Sequence, residues 1–200
     1  MKRKTEELNS NEEALYSAIA AKLSCDMCEL SSSISTCRKC GSGGGIPGCG
    51  AIGAEIFLLA GVPGPGAKPG NPWGGWRDEF MRRAGDELGW ESEKVYLSTA
   101  LRCVGRKPRV PDLRRCAPYL AEEISTVGAR LLIVSGKVAA VALRLALGDQ
   151  VPENPRAGDS LRLFPSCILF NLDVSRIARE EEAKRIFWDL LKSAGQLLES

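Results

Sequence analysis

The chain has 200 residues, 44% of them hydrophobic, and a formal net charge of +2. That length suits one domain with a full core, and a near-neutral balance leaves nucleic-acid affinity to a local patch rather than a global field. Histidine is absent, which removes the commonest general base and every mixed Cys/His zinc site. The opening MKRKTEELNSNEE is too polar for a secretory signal, and apolar runs such as IFLLAGVPG are too short to span a membrane. A cytoplasmic protein without membrane association is expected.

Ser10 and Glu13 read as a capping box opening a helix through about Leu23, with Leu15, Ile19 and Leu23 on one face. Residues 24–52 are rich in Cys, Ser and Gly and read as a cysteine-anchored loop layer. A short apolar strand over 55–60 runs into a segment with ten Gly and Pro among sixteen residues, 60–75. Residues 76–89 carry helical spacing through Phe80, Met81, Ala84 and Leu88, stopped by Gly89. A strand over 94–100 follows, then a basic loop, then a helix from about Asp112 with Cys116, Leu120 and Ile124 on one face. Strand 130–135, helix 137–147, strand 161–169 and an amphipathic helix over about 178–198 complete the chain. Alternating strands and helices predict a mostly parallel sheet covered on both faces, a single three-layer α/β/α domain. The predicted division is an N-terminal helix at 1–24 and a domain at 25–200 with a Cys/Gly-rich insertion at about 29–52.

Eight cysteines in an intracellular chain point to metal or cluster ligation rather than disulfides. CDMC (25–28) and CRKC (37–40) make a C-x2-C-x8-C-x2-C pattern, which by itself reads as a tetrahedral zinc site at Cys25, Cys28, Cys37 and Cys40. Cys167, in an apolar strand, reads as a small buried hydrophobe. The Gly/Pro segment lacks the Gly-Lys-Ser/Thr ending of a phosphate loop, which excludes an NTPase.

Three stretches together, CDMC, VYLSTALRC (95–103) and CAPYL (116–120), resemble the iron–sulfur uracil-DNA glycosylases, family 4 of that superfamily. The resemblance implies the α/β/α fold and one 4Fe-4S cluster held by Cys25, Cys28, Cys103 and Cys116, two local and two distant thiolates. Cys37, Cys40 and Cys49 then fall in an insertion, as ligands of a second metal or as free thiols. Between Cys103 and Cys116 the family's loop faces DNA. Here Arg102, Arg106, Lys107, Arg109, Arg114 and Arg115 stand against one acid, Asp112, a pattern suited to backbone phosphates. The competing reading pairs these arginines with Glu122 and Glu123.

The family's catalytic motifs are degenerate. Its Gly-Glu-Ala-Pro-Gly corresponds to Ala60-Gly61-Val62-Pro63-Gly64, so Gly61 stands where the carboxylate would be, and residues 56–76 contain no acid. Thr99 takes the place of the base-reading asparagine, and its hydroxyl cannot present an amide's paired donor and acceptor. The His-Pro motif maps near Leu172 or Asp173. Pro72-Trp73-Gly74-Gly75 matches the family's Pro-Phe-Val-Gly, which makes Trp73 the candidate for stacking on an extruded base.

The expected protein therefore binds DNA or another nucleic acid, or a protein partner, without excising uracil. An active glycosylase for another damaged base, using Thr99, Asp173 or backbone groups, is the alternative. A structural subunit of a larger assembly is the third.

Overall fold

In the computed structural model, residues 10–41 and 43–199 are described. The basic opening segment, residues 1–9, lies outside them. Five strands form one sheet in the order β2-β1-β3-β5-β4: β1 (Ile56–Ala60), β2 (Val95–Thr99), β3 (Leu131–Ser135), β4 (Ser160–Leu163) and β5 (Ser166–Asn171). The first three and β5 run parallel, and β4 is an antiparallel edge. The single strand expected over 161–169 is in fact two. Phe164-Pro165 turns the chain between them, and a proline there cannot donate to a continuous ladder.

Among the described residues, five α-helices pack around the sheet: α1 (Ser10–Ser35), α2 (Gly75–Leu88), α3 (Val110–Val127), α4 (Gly136–Leu147) and α5 (Glu181–Glu199). Side-chain alternation sorts the core into two layers. Phe57, Leu59, Tyr96, Leu132, Val134, Ile168 and Phe170 pack with α3 and α4 on one face. Ile56, Leu58, Leu131, Ile133 and Leu169 pack with α2 and α5 on the other. Ala183, Phe187, Leu191 and Ala194, all buried, form the stripe that seats α5. Gly89 stops α2 as predicted, in the left-handed conformation, and Gly128 ends α3 in the same way.

α1 departs from the predicted domain division. It runs unbroken from Ser10 to Ser35, so the boundary at 24/25 falls inside a helix and the cysteine-rich layer begins helical. Leu30 and Ile34 bury one face of its second half, and Met27 packs beside them, accepting a hydrogen bond from Tyr96 Oη at 3.6 Å. Tyr16 and Ile19 continue that stripe, with Leu15 at its side, but all three are exposed. Farther on, Cys49 exchanges backbone hydrogen bonds with Leu97, so the loop layer covers the free edge of β2.

β1 sits between β2 and β3, so successive connections leave it in opposite directions. The crevice at the C-terminal ends of β1 and β3 is the topological switch point, where ligands bind in open α/β sheets.

Candidate functional site

The cysteines divide by the ends of the sheet. Cys103 lies just past the C-terminal end of β2, and Cys116 is buried two turns into α3. The Cys37–Cys40 loop is brought to them. Burial first, then neighbouring Cys37, push up the pKa of the Tyr119 hydroxyl, one turn beyond Cys116, and Lys39 lies 4.6 Å over the Tyr119 ring. Burial first, then the charges of nearby Asp112 and Cys103, push the Cys40 thiol up. Burial also raises Cys116, partly offset by the Arg102 backbone N–H. These shifts disfavour bare thiolates, a cost that a bound cation reverses.

Cys25 and Cys28 are placed differently. Both are exposed. At about 100° per residue they sit roughly 190° and 130° around α1 from the centre of the face formed by Met27, Leu30 and Ile34. Their turn of α1 packs at Tyr96, near the start of β2, whereas Cys103 follows its end. Cys40 thus interacts electrostatically with both Cys103 and Cys116, while Cys25 and Cys28 stand exposed on α1. The four-cysteine zinc arrangement meets the same obstacle, because about 10 Å of helix separates Cys28 from Ser35. Among the described residues, no three Cys, Asp or Glu converge closely enough for a single ion. A cluster places each thiolate on a different iron and so accepts wider ligand spacing. The donor set Cys37, Cys40, Cys103 and Cys116 fits that chemistry.

Arg102 is a correction to the phosphate set. It is 2% exposed and donates to both Glu123 oxygens, at 3.0 and 2.7 Å, and to Ser98 Oγ at 2.8 Å. Ser98 Oγ and the Gly48 N–H also donate to Glu123. A guanidinium committed to this interior network cannot reach a phosphate. Arg106 and Arg115 both donate to Asp112, which they hold below the usual carboxylate range, Arg106 foremost. Lys107, Arg109 and Arg114 are exposed. Gly105, Arg106, Lys107, Arg109 and Asp112 line a shallow cleft of about 390 Å³.

The pocket positions are closed. A Cβ on Gly61 would lie 2.8 Å from Val138 Cβ of α4, so packing occupies the space a side chain would need. Thr99 is fully buried and its hydroxyl has no hydrogen-bond partner among the described residues. Trp73 is 1% exposed, and its indole N–H donates to the Ser98 carbonyl at 2.9 Å, so in this conformation its ring is core rather than a stacking platform.

Sequence reasoning missed Arg77 and gave Asp173 too little shape. Arg77, in the first turn of α2, donates to the Val62 carbonyl at 3.3 Å, and its buried Nε has no partner among the described residues. Burial lowers its pKa, while Asp173 across the crevice raises it. Asp173 accepts from the Ser175 N–H and hydroxyl at 2.8 and 2.7 Å through one oxygen. It packs where a Cβ on Gly136 would lie, 2.7 Å from its own Cβ, at the N-terminus of α4. Leu172 and Asp173 share the wall of a cavity of about 470 Å³ with Lys137, Glu153 and Arg176. The signal for Arg77 was a cation directly following an acid-free Gly/Pro segment.

A model of the uracil DNA glycosylase superfamily matches residues 47–192. The chain belongs to this superfamily. It is 25% identical over 131 residues to a type-4 uracil-DNA glycosylase of Pyrobaculum aerophilum, covering 62% of this chain and 67% of that protein. Similar proteins of the same name occur in Sulfurisphaera tokodaii, 25% identical over 118 residues, and Saccharolobus solfataricus, 26% over 117. The chain spans 54% of the length of each of these two. The match begins after Cys40, so it covers Cys103, Cys116, Gly61 and Thr99 but neither C-x2-C pair. Among the described residues no helix is long and apolar enough to cross a membrane.

Proposed function

We propose that this superfamily member is a cytoplasmic iron–sulfur protein that binds nucleic acid and does not excise uracil. Its 4Fe-4S cluster is held by Cys37 and Cys40 with Cys103 and Cys116, the first pair replacing the Cys25 and Cys28 expected from sequence. When bound, the cluster supplies a cross-link between the loop layer, β2 and α3. Lys107, Arg109 and Arg114 meet the phosphate backbone.

The observation that carries the loss of excision is Val138 against Gly61. Breaking a glycosidic bond builds positive charge on the sugar, which a carboxylate or an oriented water stabilises. Here that place is filled by a valine side chain, so a nearby group cannot simply substitute. Thr99 in the asparagine position removes base reading, and Leu172 offers no imidazole to the leaving base. Each loss alone commonly costs about 10²–10⁴-fold in rate.

The test is a single-turnover assay with excess protein on single- and double-stranded uracil oligonucleotides, followed by alkaline cleavage. Salt-dependent binding without product is expected. Cluster-dependent product would overturn the reading.

Asp173 favours a second reading, excision of a different base. Its carboxylate lines a cavity large enough for a base, steadied by Ser175 beside the N-terminus of α4. There it would take a proton from the attacking water as the glycosidic bond breaks. A panel of damaged-base oligonucleotides decides this, with product that disappears in Asp173→Asn as the supporting outcome.

A further inference from the structure

We infer that Asp112 is a latch that joins cluster retention and phosphate presentation into one equilibrium. The inference rests on the cluster reading above. Asp112 was legible in the sequence only as the lone acid among six cations of the basic loop. In the fold its side chain is 3% exposed and receives Arg106 Nε and Nη2, each at 3.1 Å, and Arg115 Nη1 at 3.0 Å. The same Arg106 guanidinium donates through Nη1 to the Cys40 carbonyl at 2.9 Å. One side chain therefore ties three pieces together: the Cys37–Cys40 loop, the segment between Cys103 and Cys116, and the first turn of α3.

The consequence is geometric. Lys107 follows Arg106 directly, and Lys107 and Arg109 wall the same cleft as Arg106 and Asp112. Whatever fixes Arg106 fixes where those two cations point. Holding Cys40 by its carbonyl also sets the approach of its thiol to Cys103. Partners that orient metal ligands in this way typically alter metal affinity when removed. If cluster and phosphate share the latch, occupancy of either favours the other by the same factor at equilibrium. The merely structural role of Asp112 is an acid in the first turn of α3, where the helix dipole favours negative charge. That role predicts a stability effect without coupling.

The test uses the full chain purified anaerobically as wild type, Asp112→Asn and Arg106→Lys. Iron release to a colorimetric chelator is followed with and without a labelled duplex oligonucleotide, whose affinity is measured before and after stripping. Asp112→Asn should release iron at least about fivefold faster, the low end of typical coupling. Its DNA affinity should fall to that of stripped wild type, and saturating oligonucleotide should slow iron release from wild type but not from the variant. Arg106→Lys, which keeps the charge but loses the fork, should fall between the two. Release rates and affinities unchanged in both variants, or equal protection of all three proteins by DNA, would overturn the latch. If Asp112→Asn fails to fold by circular dichroism, Arg106→Lys decides by the same readouts. A wild-type chain that carries no iron would instead sink the cluster reading itself.

Discussion

Val138 Cβ lies 2.8 Å from the point where a side chain on Gly61 would begin. The pocket has lost both its carboxylate and the room for one. Reintroducing it as Gly61→Glu should therefore yield no uracil excision and should destabilise the protein by about 1–3 kcal/mol through overpacking. Pairing it with Val138→Ala, which removes the Cγ1 contact at 3.1 Å but keeps the Cβ contact, should recover only a small part of that stability in urea denaturation. Equal stability of Gly61→Glu and wild type would show that the space is open after all.

The cysteine assignment separates cleanly by mutation. Cys40→Ser and Cys116→Ser should lose iron and the broad visible absorption, whereas Cys25→Ser and Cys28→Ser should keep both. Iron analysis on anaerobically purified protein reads this directly. Iron lost with Cys25 or Cys28 and retained without Cys40 would return the ligand set to the pairing expected from sequence.

Phosphate binding should follow exposure rather than the count of arginines. Replacing Lys107, Arg109 and Arg114 with Ala should weaken DNA binding across sequences. The salt slope should flatten by about 0.9 for each duplex phosphate contact removed. Anisotropy titrations at several salt concentrations check it, and an unchanged slope would leave the loop as solvated surface.

Arg102 should behave as a core residue. Arg102→Met leaves Glu123 buried without its partner, a loss on the order of 3–5 kcal/mol, and Glu123→Leu does the converse. The double variant should be markedly more stable than either single one, since an apolar pair has no uncompensated charge. Denaturant midpoints measure this. Additive losses would show that the two side chains do not act as a pair.

Length, periodicity and punctuation were enough for the architecture. Strands at 55–60, 94–100 and 130–135 lie within a residue or two of β1, β2 and β3, because apolar runs bounded by glycine and proline are local signals. The degenerate positions Gly61 and Thr99 were also readable, since they are statements about residue identity. What the sequence could not supply was partnership across the chain. CDMC and CRKC are equivalent as strings, and only the rotation of α1 turns one pair to solvent while its end delivers the other to α3. Arg102 and Arg106 look alike in a basic loop, yet Glu123 and Asp112 take one into the core and the other to the surface cleft. Trp73 reads as a free aromatic until the Ser98 carbonyl claims its indole. A hydrogen bond or a packed contact between residues 20 to 80 positions apart depends on how the elements are stacked, and stacking is set by the whole core at once.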